Sequence, residues 1–222
     1  MRVRMHIPDG FLDPWVAGLL WLGSGLAIGV AVARARGELG DERTPLLGVV
    51  AAGIFAAQML NWPIPGGTSA HFVGGAFAGI LLGPYLGVLA MTAVVTIQAL
   101  VFGDGGIIAL GANLFTMAVV DVLVGYALFR LLRGIHESGA AFVAGWAAIT
   151  VSALVVGVAV GASSAFAYEL GVTVPVMVVG HALLGLVEGA ITAAVYGSVV
   201  NARPDLVLGR FADDPVSPEV DL

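Results

Sequence analysis

Two histidines carry the chemistry this sequence offers. His6 lies in Met5-His6-Ile7-Pro8-Asp9-Gly10, and His71 closes Pro65-Gly66-Gly67-Thr68-Ser69-Ala70-His71, so each sits in a short loop-like patch beside long apolar runs. Imidazole is the commonest protein ligand for late first-row transition metals, and a chain this poor in polar side chains has little other use for such a pair. We read them as two halves of one metal site. A chain beginning at Met5 would extend the set. Its free amine, the backbone nitrogen of His6 and the His6 imidazole would close adjacent chelate rings around one ion, and His71 would fill the fourth in-plane position. Four nitrogens in a plane suit Ni(II) and Cu(II) and can be imposed on Co(II), whereas tetrahedral Zn(II) and oxygen-preferring Mg(II) or Ca(II) fit poorly. As written, however, the chain starts at Met1, with Arg2, Val3 and Arg4 ahead of Met5.

The elements that position these residues must be membrane helices. Of 222 residues, 59% are hydrophobic and only 11% are charged, and the mean hydropathy is +1.01, far too apolar for an ordinary soluble domain. With no cysteine present, disulfides, thiolate metal sites and cysteine nucleophiles are excluded. The net charge of −6 is concentrated outside the apolar runs, and no basic stripe with interleaved aromatics points to nucleic acid. Partners are therefore ions, lipids of the bilayer or other membrane subunits. Pro8, Asp9 and Gly10 interrupt the stretch a signal peptide would need after Arg2 and Arg4, so no cleaved signal is expected. Abundant glycine and alanine point to closely packed helices.

A bilayer core needs about 20 apolar residues per helix. Such segments fall at roughly 15–33, 45–62, 84–102, 107–132, 141–167 and 173–200, with a shorter stretch at 71–83 whose length alone fits either a short span or a re-entrant segment. The arginines decide for a span. Arg34, Arg36 and Arg43, then Arg130 and Arg133, then Arg203 and Arg210 all fall on one side only if the short stretch crosses. The expectation is an all-α, seven-transmembrane-helix bundle in the cell membrane, with its N-terminus outside and its C-terminus cytoplasmic. Residues 1–203 form one substrate-binding domain and 204–222 an acidic cytoplasmic tail. The outer face then collects Met1–Pro14, Asn61–Ala70, Gly103–Gly106 and Glu169–Gly171, which puts His6 and His71 on the same side.

Longer motifs now carry a resemblance: Met5-His-Ile-Pro-Asp-Gly-Phe-Leu12, the Pro65–His71 segment, Gln98-Ala-Leu-Val-Phe-Gly-Asp-Gly-Gly106 and Leu110-Gly-Ala-Asn113. Over about residues 5–203 the chain resembles the CbiM/NikM family, the cobalt and nickel substrate-binding membrane subunits of energy-coupling factor transporters. The resemblance implies seven transmembrane helices, an N-terminus folded into an outward-facing pocket, and metal ligands at Met5, His6 and His71. It also implies a membrane scaffold subunit, paired cytoplasmic ATPases and a small accessory membrane subunit as partners. Co(II) or Ni(II) is the transported substrate rather than a catalytic cofactor, and overall likeness favours cobalt, destined for cobalamin synthesis. Translation from Met5, processing that exposes Met5, or loss of the amine ligand would each accommodate Met1–Arg4. The first is favoured, because it also removes Arg2 and Arg4, the two arginines that break the charge rule.

The remaining polar residues receive plainer readings. Thr68, Ser69, Asn113 and Gln98 are candidates to orient an imidazole by hydrogen bonding. His181 is read as a hydrogen-bonded core residue and His136 as a solvated loop residue. Asp121 and Glu188 are intramembrane acids assigned to a network inside the bundle or a contact with partner subunits, and Asp104 is assigned to capping the following helix. Catalysis is not expected. His136-Glu137 is followed by Ser138-Gly139-Ala140, which breaks the zinc-protease pattern, and no Walker phosphate loop is present, so ATP hydrolysis must be supplied by other subunits. A channel or ion-driven carrier acting alone is the competing class.

Overall fold

The computed structural model describes residues 6–36, 43–65 and 68–207. Met5 and the acidic tail beyond Val207 lie outside these residues. Seven helices are found among them: α1 (Pro14–Ala35), α2 (Arg43–Gln58), α3 (Gly75–Leu82), α4 (Pro84–Val101), α5 (Leu110–Leu132), α6 (Glu137–Gly161) and α7 (Leu170–Ala202). Five of them, α1 and α4 to α7, are long and apolar enough to cross a membrane. Pro14 and Pro84 begin their helices, where a missing N–H costs nothing. At the junction of α3 and α4, Gly83 takes a φ of 81°, which breaks one apolar run into two helices.

Their lipid-facing sides are legible in exposure. Leu19, Leu22 and Leu26 of α1 are more than 60% exposed, and Val179, Leu183 and Val187 form a similar stripe on α7. Such stripes suit acyl chains and would be a liability in water. Inside, Met91, Val95, Leu86, Val122, Phe129, Ile149 and Tyr196 make a dry core. The antiparallel pair α6 and α7 is laced by Trp146 Nε1 donating to the Ala182 carbonyl at 3.0 Å and Thr173 Oγ1 donating to the Gly157 carbonyl at 2.8 Å. Close approach here depends on small residues, since a Cβ on Gly189 would press on the Phe142 carbonyl.

One departure from the all-α expectation lies between α2 and α3. An antiparallel hairpin, β1 (Asn61–Ile64) with β2 (Thr68–His71), pairs Asn61 with His71 and Ile64 with Thr68. Pro63, Pro65 and the surrounding turn residues cannot extend α2, and a hairpin pairs the backbone instead. The expected short span at 71–83 is an eight-residue helix, Gly75–Leu82, about 12 Å long at 1.5 Å per residue. It is buried on nearly every side.

Two acids position that helix. Glu188 of α7 accepts from the N–H groups of Val73 (2.9 Å) and Gly74 (2.8 Å), and Asp121 of α5 accepts from Ala76 N–H at 2.9 Å. These are the unpaired donors at a helix start, where negative charge is favoured. Gln58 completes the joint by donating to the Val73 carbonyl at 2.6 Å. The acids therefore serve the expected internal network. Glu188→Leu leaves two buried donors without an acceptor and should cost roughly 2–6 kcal/mol at about 1–3 per group, while Glu188→Gln retains one acceptor and loses less. Thermal unfolding in detergent should rank wild type above Gln and Gln above Leu.

Candidate metal centre

The N-terminal segment before α1 is a strap with no regular structure, so its backbone must be paired by something else. Asn113, near the start of α5, does this for Ile7. Its Oδ1 accepts from Ile7 N–H at 3.0 Å and its Nδ2 donates to the Ile7 carbonyl at 3.1 Å. Gly106 N–H also donates to the Ile7 carbonyl, at 2.9 Å. Asp9 accepts from the N–H groups of Ile107 and Ala109, each at 3.0 Å, and Asp13 accepts from Ser164 and Ala165 N–H at 3.0 and 3.2 Å. The strap is thus fixed to the loop before α5 and to the loop between α6 and α7. Asp9, not Asp104, meets the N–H groups at the entry to α5, because the strap brings its carboxylate there. Asp104 instead donates its own N–H to the Gln98 carbonyl at 2.9 Å.

Fixed in this way, His6 meets His71. Their ring centroids are 5.3 Å apart with planes at 60°, and the residues are 4% and 6% exposed. Neither ring nitrogen of His6 has a well-formed hydrogen bond. An unpartnered buried imidazole is costly unless a ligand completes it. His71 is oriented by Nδ1, which lies 2.7 Å from the Phe72 carbonyl. A carbonyl only accepts, so Nδ1 carries the proton and Nε2 keeps its lone pair.

Both rings open on a cavity of about 50 Å3, lined also by Ser69, Asn113, Thr116, Ser152 and His181. That volume holds an ion with a few waters and excludes an organic metabolite. Thr116 and Met117 belong to a π-helical stretch, Leu114–Val120, whose wider winding lets the Thr116 carbonyl accept from the Asp121 N–H five residues on and also from Ser152 Oγ at 2.9 Å. Burial pushes His6 down to about 4, opposed in part by the Asp104 backbone. The imidazole is therefore neutral and ready to bind a cation at any ordinary pH.

The residues expected from the sequence divide as follows. His6, His71, Ser69 and Asn113 come together, with Asn113 holding the strap rather than reaching a histidine ring. Thr68 pairs with Ile64 in the hairpin. Gln98 is fully buried but does not line the cavity. His136 is the N-cap of α6, its Nδ1 accepting from Gly139 N–H at 2.9 Å, rather than a plain loop residue. His181 makes its core hydrogen bond, Nδ1 to the Met177 carbonyl at 2.9 Å, and also faces the cavity. Asp9 and Asp13, the main anchors of the strap, carried only the signal of acids beside Gly and Pro ahead of an apolar run. Among the described residues, no three histidines or acids stand close enough together to hold a metal ion by themselves.

The chain and its fold have relatives among known proteins. The family model described as the cobalt uptake substrate-specific transmembrane region matches residues 6–206. A chain of Haloquadratum walsbyi, provisionally named a metal transport protein, is 76% identical over 98% of this chain and 100% of its own length. One of Archaeoglobus fulgidus, provisionally named a fused nickel transport protein, is 59% identical over 94% of this chain and 70% of its own. A crystal structure of a transition metal transporter superposes with a TM-score of 0.86 at 31% identity, covering 94% of this chain and 98% of that one.

Two outcomes follow for the metal-free chain. Asn113→Ala removes both bonds to Ile7, at about 1 kcal/mol each, so hydrogen exchange at the Ile7 amide should speed up roughly 10- to 30-fold. The depressed His6 value means that the undocked strap binds the extra proton between about 6.5 and about 4. Docking is thus fully stable above that window and weakens as pH falls through it. Ile7 protection, corrected for intrinsic exchange, should be flat above the window and decline within it.

Proposed function

Because the chain belongs to the cobalt uptake substrate-specific transmembrane family, a family of metal transport proteins, we propose that it is the capture subunit for ATP-driven uptake of Co(II). One observation carries this reading: two buried, uncharged imidazoles meet over an ion-sized cavity. The ligand set is the amine of Met5, the backbone and ring nitrogens of His6, and Nε2 of His71. Met5 supplies the nitrogen that the described residues lack. Ser69 and Thr68 shape the hairpin around His71, Asn113 and Asp9 fix the strap, and Gln98 supports the loop from α4 through its carbonyl.

Nickel is the second reading, favoured by the fused nickel transport name of the Archaeoglobus fulgidus relative. A planar nitrogen set accepts either ion, and availability then decides. Incoming cobalt would feed cobalamin synthesis. The energy comes from two cytoplasmic ATPases acting through a membrane scaffold subunit, with a small membrane subunit as accessory, in an energy-coupling factor transporter.

We infer seven crossings, with the strap outside and the C-terminus cytoplasmic. Supporting this, one end of the bundle gathers Arg34 beside Tyr85 and Glu137 beside Tyr196, while the other gathers Asp13 beside Ser164. α2 is 16 residues, about 24 Å long, and β1 carries the chain onward by about 13 Å. β2 and α3 make the return crossing.

Equilibrium binding on the purified chain tests the site. His71→Ala should weaken Co(II) and Ni(II) at least about 100-fold, beyond the 10- to 100-fold typical of losing an outer partner. Unchanged affinity would sink the assignment. Intact mass of the natural protein should correspond to a chain starting at Met5, and uptake into vesicles should depend on added ATPase and scaffold subunits.

A further inference from the structure

The cavity under the histidine pair has a third imidazole on its wall. His181 sits on α7, 4% exposed, and lines the same 50 Å3 space as His6 and His71. Its Nδ1 lies 2.9 Å from the Met177 carbonyl. As with His71, an accepting carbonyl puts the proton on Nδ1 and leaves Nε2 with a bare lone pair. That nitrogen has no hydrogen-bond partner among the described residues.

Helix packing alone does not call for a histidine here. The bond to the carbonyl four residues back is made elsewhere in the chain by smaller side chains: Thr92 to Val88, Thr150 to Trp146, Ser163 to Ala159 and Ser198 to Ala194. Serine and threonine make it routinely in helices. What histidine adds at 181 is Nε2, the ring nitrogen not bonded to the helix backbone, on the wall of a cavity that Ile149, Ala153, Val156, Met117 and Met177 line beside the hydroxyls of Ser69, Thr116 and Ser152. A divalent cation left there with only hydroxyls and apolar groups for neighbours would meet a large desolvation penalty.

We propose that His181 Nε2 is a transfer ligand for the transported cation, taking it up as it leaves His6 and His71. This rests on the capture site proposed above. His6 and His71 lie on a strap and a hairpin, elements held by a few hydrogen bonds, whereas His181 lies on a 33-residue helix. When the strap lifts, His181 stays. The cation then keeps one imidazole throughout, and its ligands are exchanged singly rather than all at once.

A transfer ligand changes rates in both directions and leaves the equilibrium alone. The experiment uses the full purified chain with its natural N-terminus and Ni(II) as probe, following loading by stopped flow and release to EDTA. His181→Asn keeps a side-chain N–H for the Met177 carbonyl but lacks the Nε2 lone pair. It should slow loading and release alike, by about tenfold or more, the lower end of the effect of losing a group near a metal, with Kd within about threefold of wild type. His181→Ala should behave the same way. Wild-type rates in both variants would overturn the proposal, as would slow exchange in Ala with normal exchange in Asn, which would reduce His181 to its bond with Met177. Should His71→Ala bind Ni(II) as tightly as wild type, the capture site itself fails, an outcome read on a different variant and a different quantity.

Discussion

Inside a bilayer there is no water to pair with a loose peptide group, and this constraint shapes the half of the bundle that carries the histidines. Helices satisfy it internally. The strap before α1 and the hairpin between α2 and α3 do not, and both lie where the chemistry is. Several polar side chains in the neighbourhood can be understood as repairs. Asn113 takes both backbone groups of Ile7, Asp9 takes two N–H groups at the entry to α5, and Gln58 and Glu188 pair Val73 on both sides. The cost of an unpaired amide exceeds the gain from pairing it, so these residues specify one backbone path more than they add stability.

That path is what brings two histidines from distant parts of the chain together over one cavity. Burial keeps His6 uncharged, and the Phe72 carbonyl selects the tautomer of His71, so both rings arrive as neutral donors. The cavity admits an ion and little else. Charge neutrality matters here as much as geometry, because a protonated imidazole repels the cation it should bind.

The same repairs tie the site to the bundle. α3 is bonded at its start to both α5 and α7, through Asp121 and Glu188, and His71 lies only a few residues ahead of those bonds. A shift of α7 against α5 must therefore either move the hairpin or break two buried carboxylate contacts. Between α6 and α7, Gly145, Gly157 and Gly189 let the two backbones approach closely.

Composition and periodicity were sufficient for the membrane class and the approximate extents of α1 and α4 to α7, and residue type singled out His6 and His71, whose ring centroids the structure brings to 5.3 Å. These rest on local signals: apolar length, proline at helix starts, and arginine at one set of ends. The hairpin was not legible. Asn61–Ala70 reads as an outer loop, and only the pairing of two four-residue strands, brought together in space, decides otherwise. Nor could the sequence assign Asp9 over Asp104, since both are acids beside glycine and the choice depends on where the strap folds back, about 100 residues along the chain. His181 shows the limit most clearly. Its bond to Met177 follows from helical spacing, but its second nitrogen gains meaning only from a cavity built by the strap, hairpin and three helices, which no local pattern encodes.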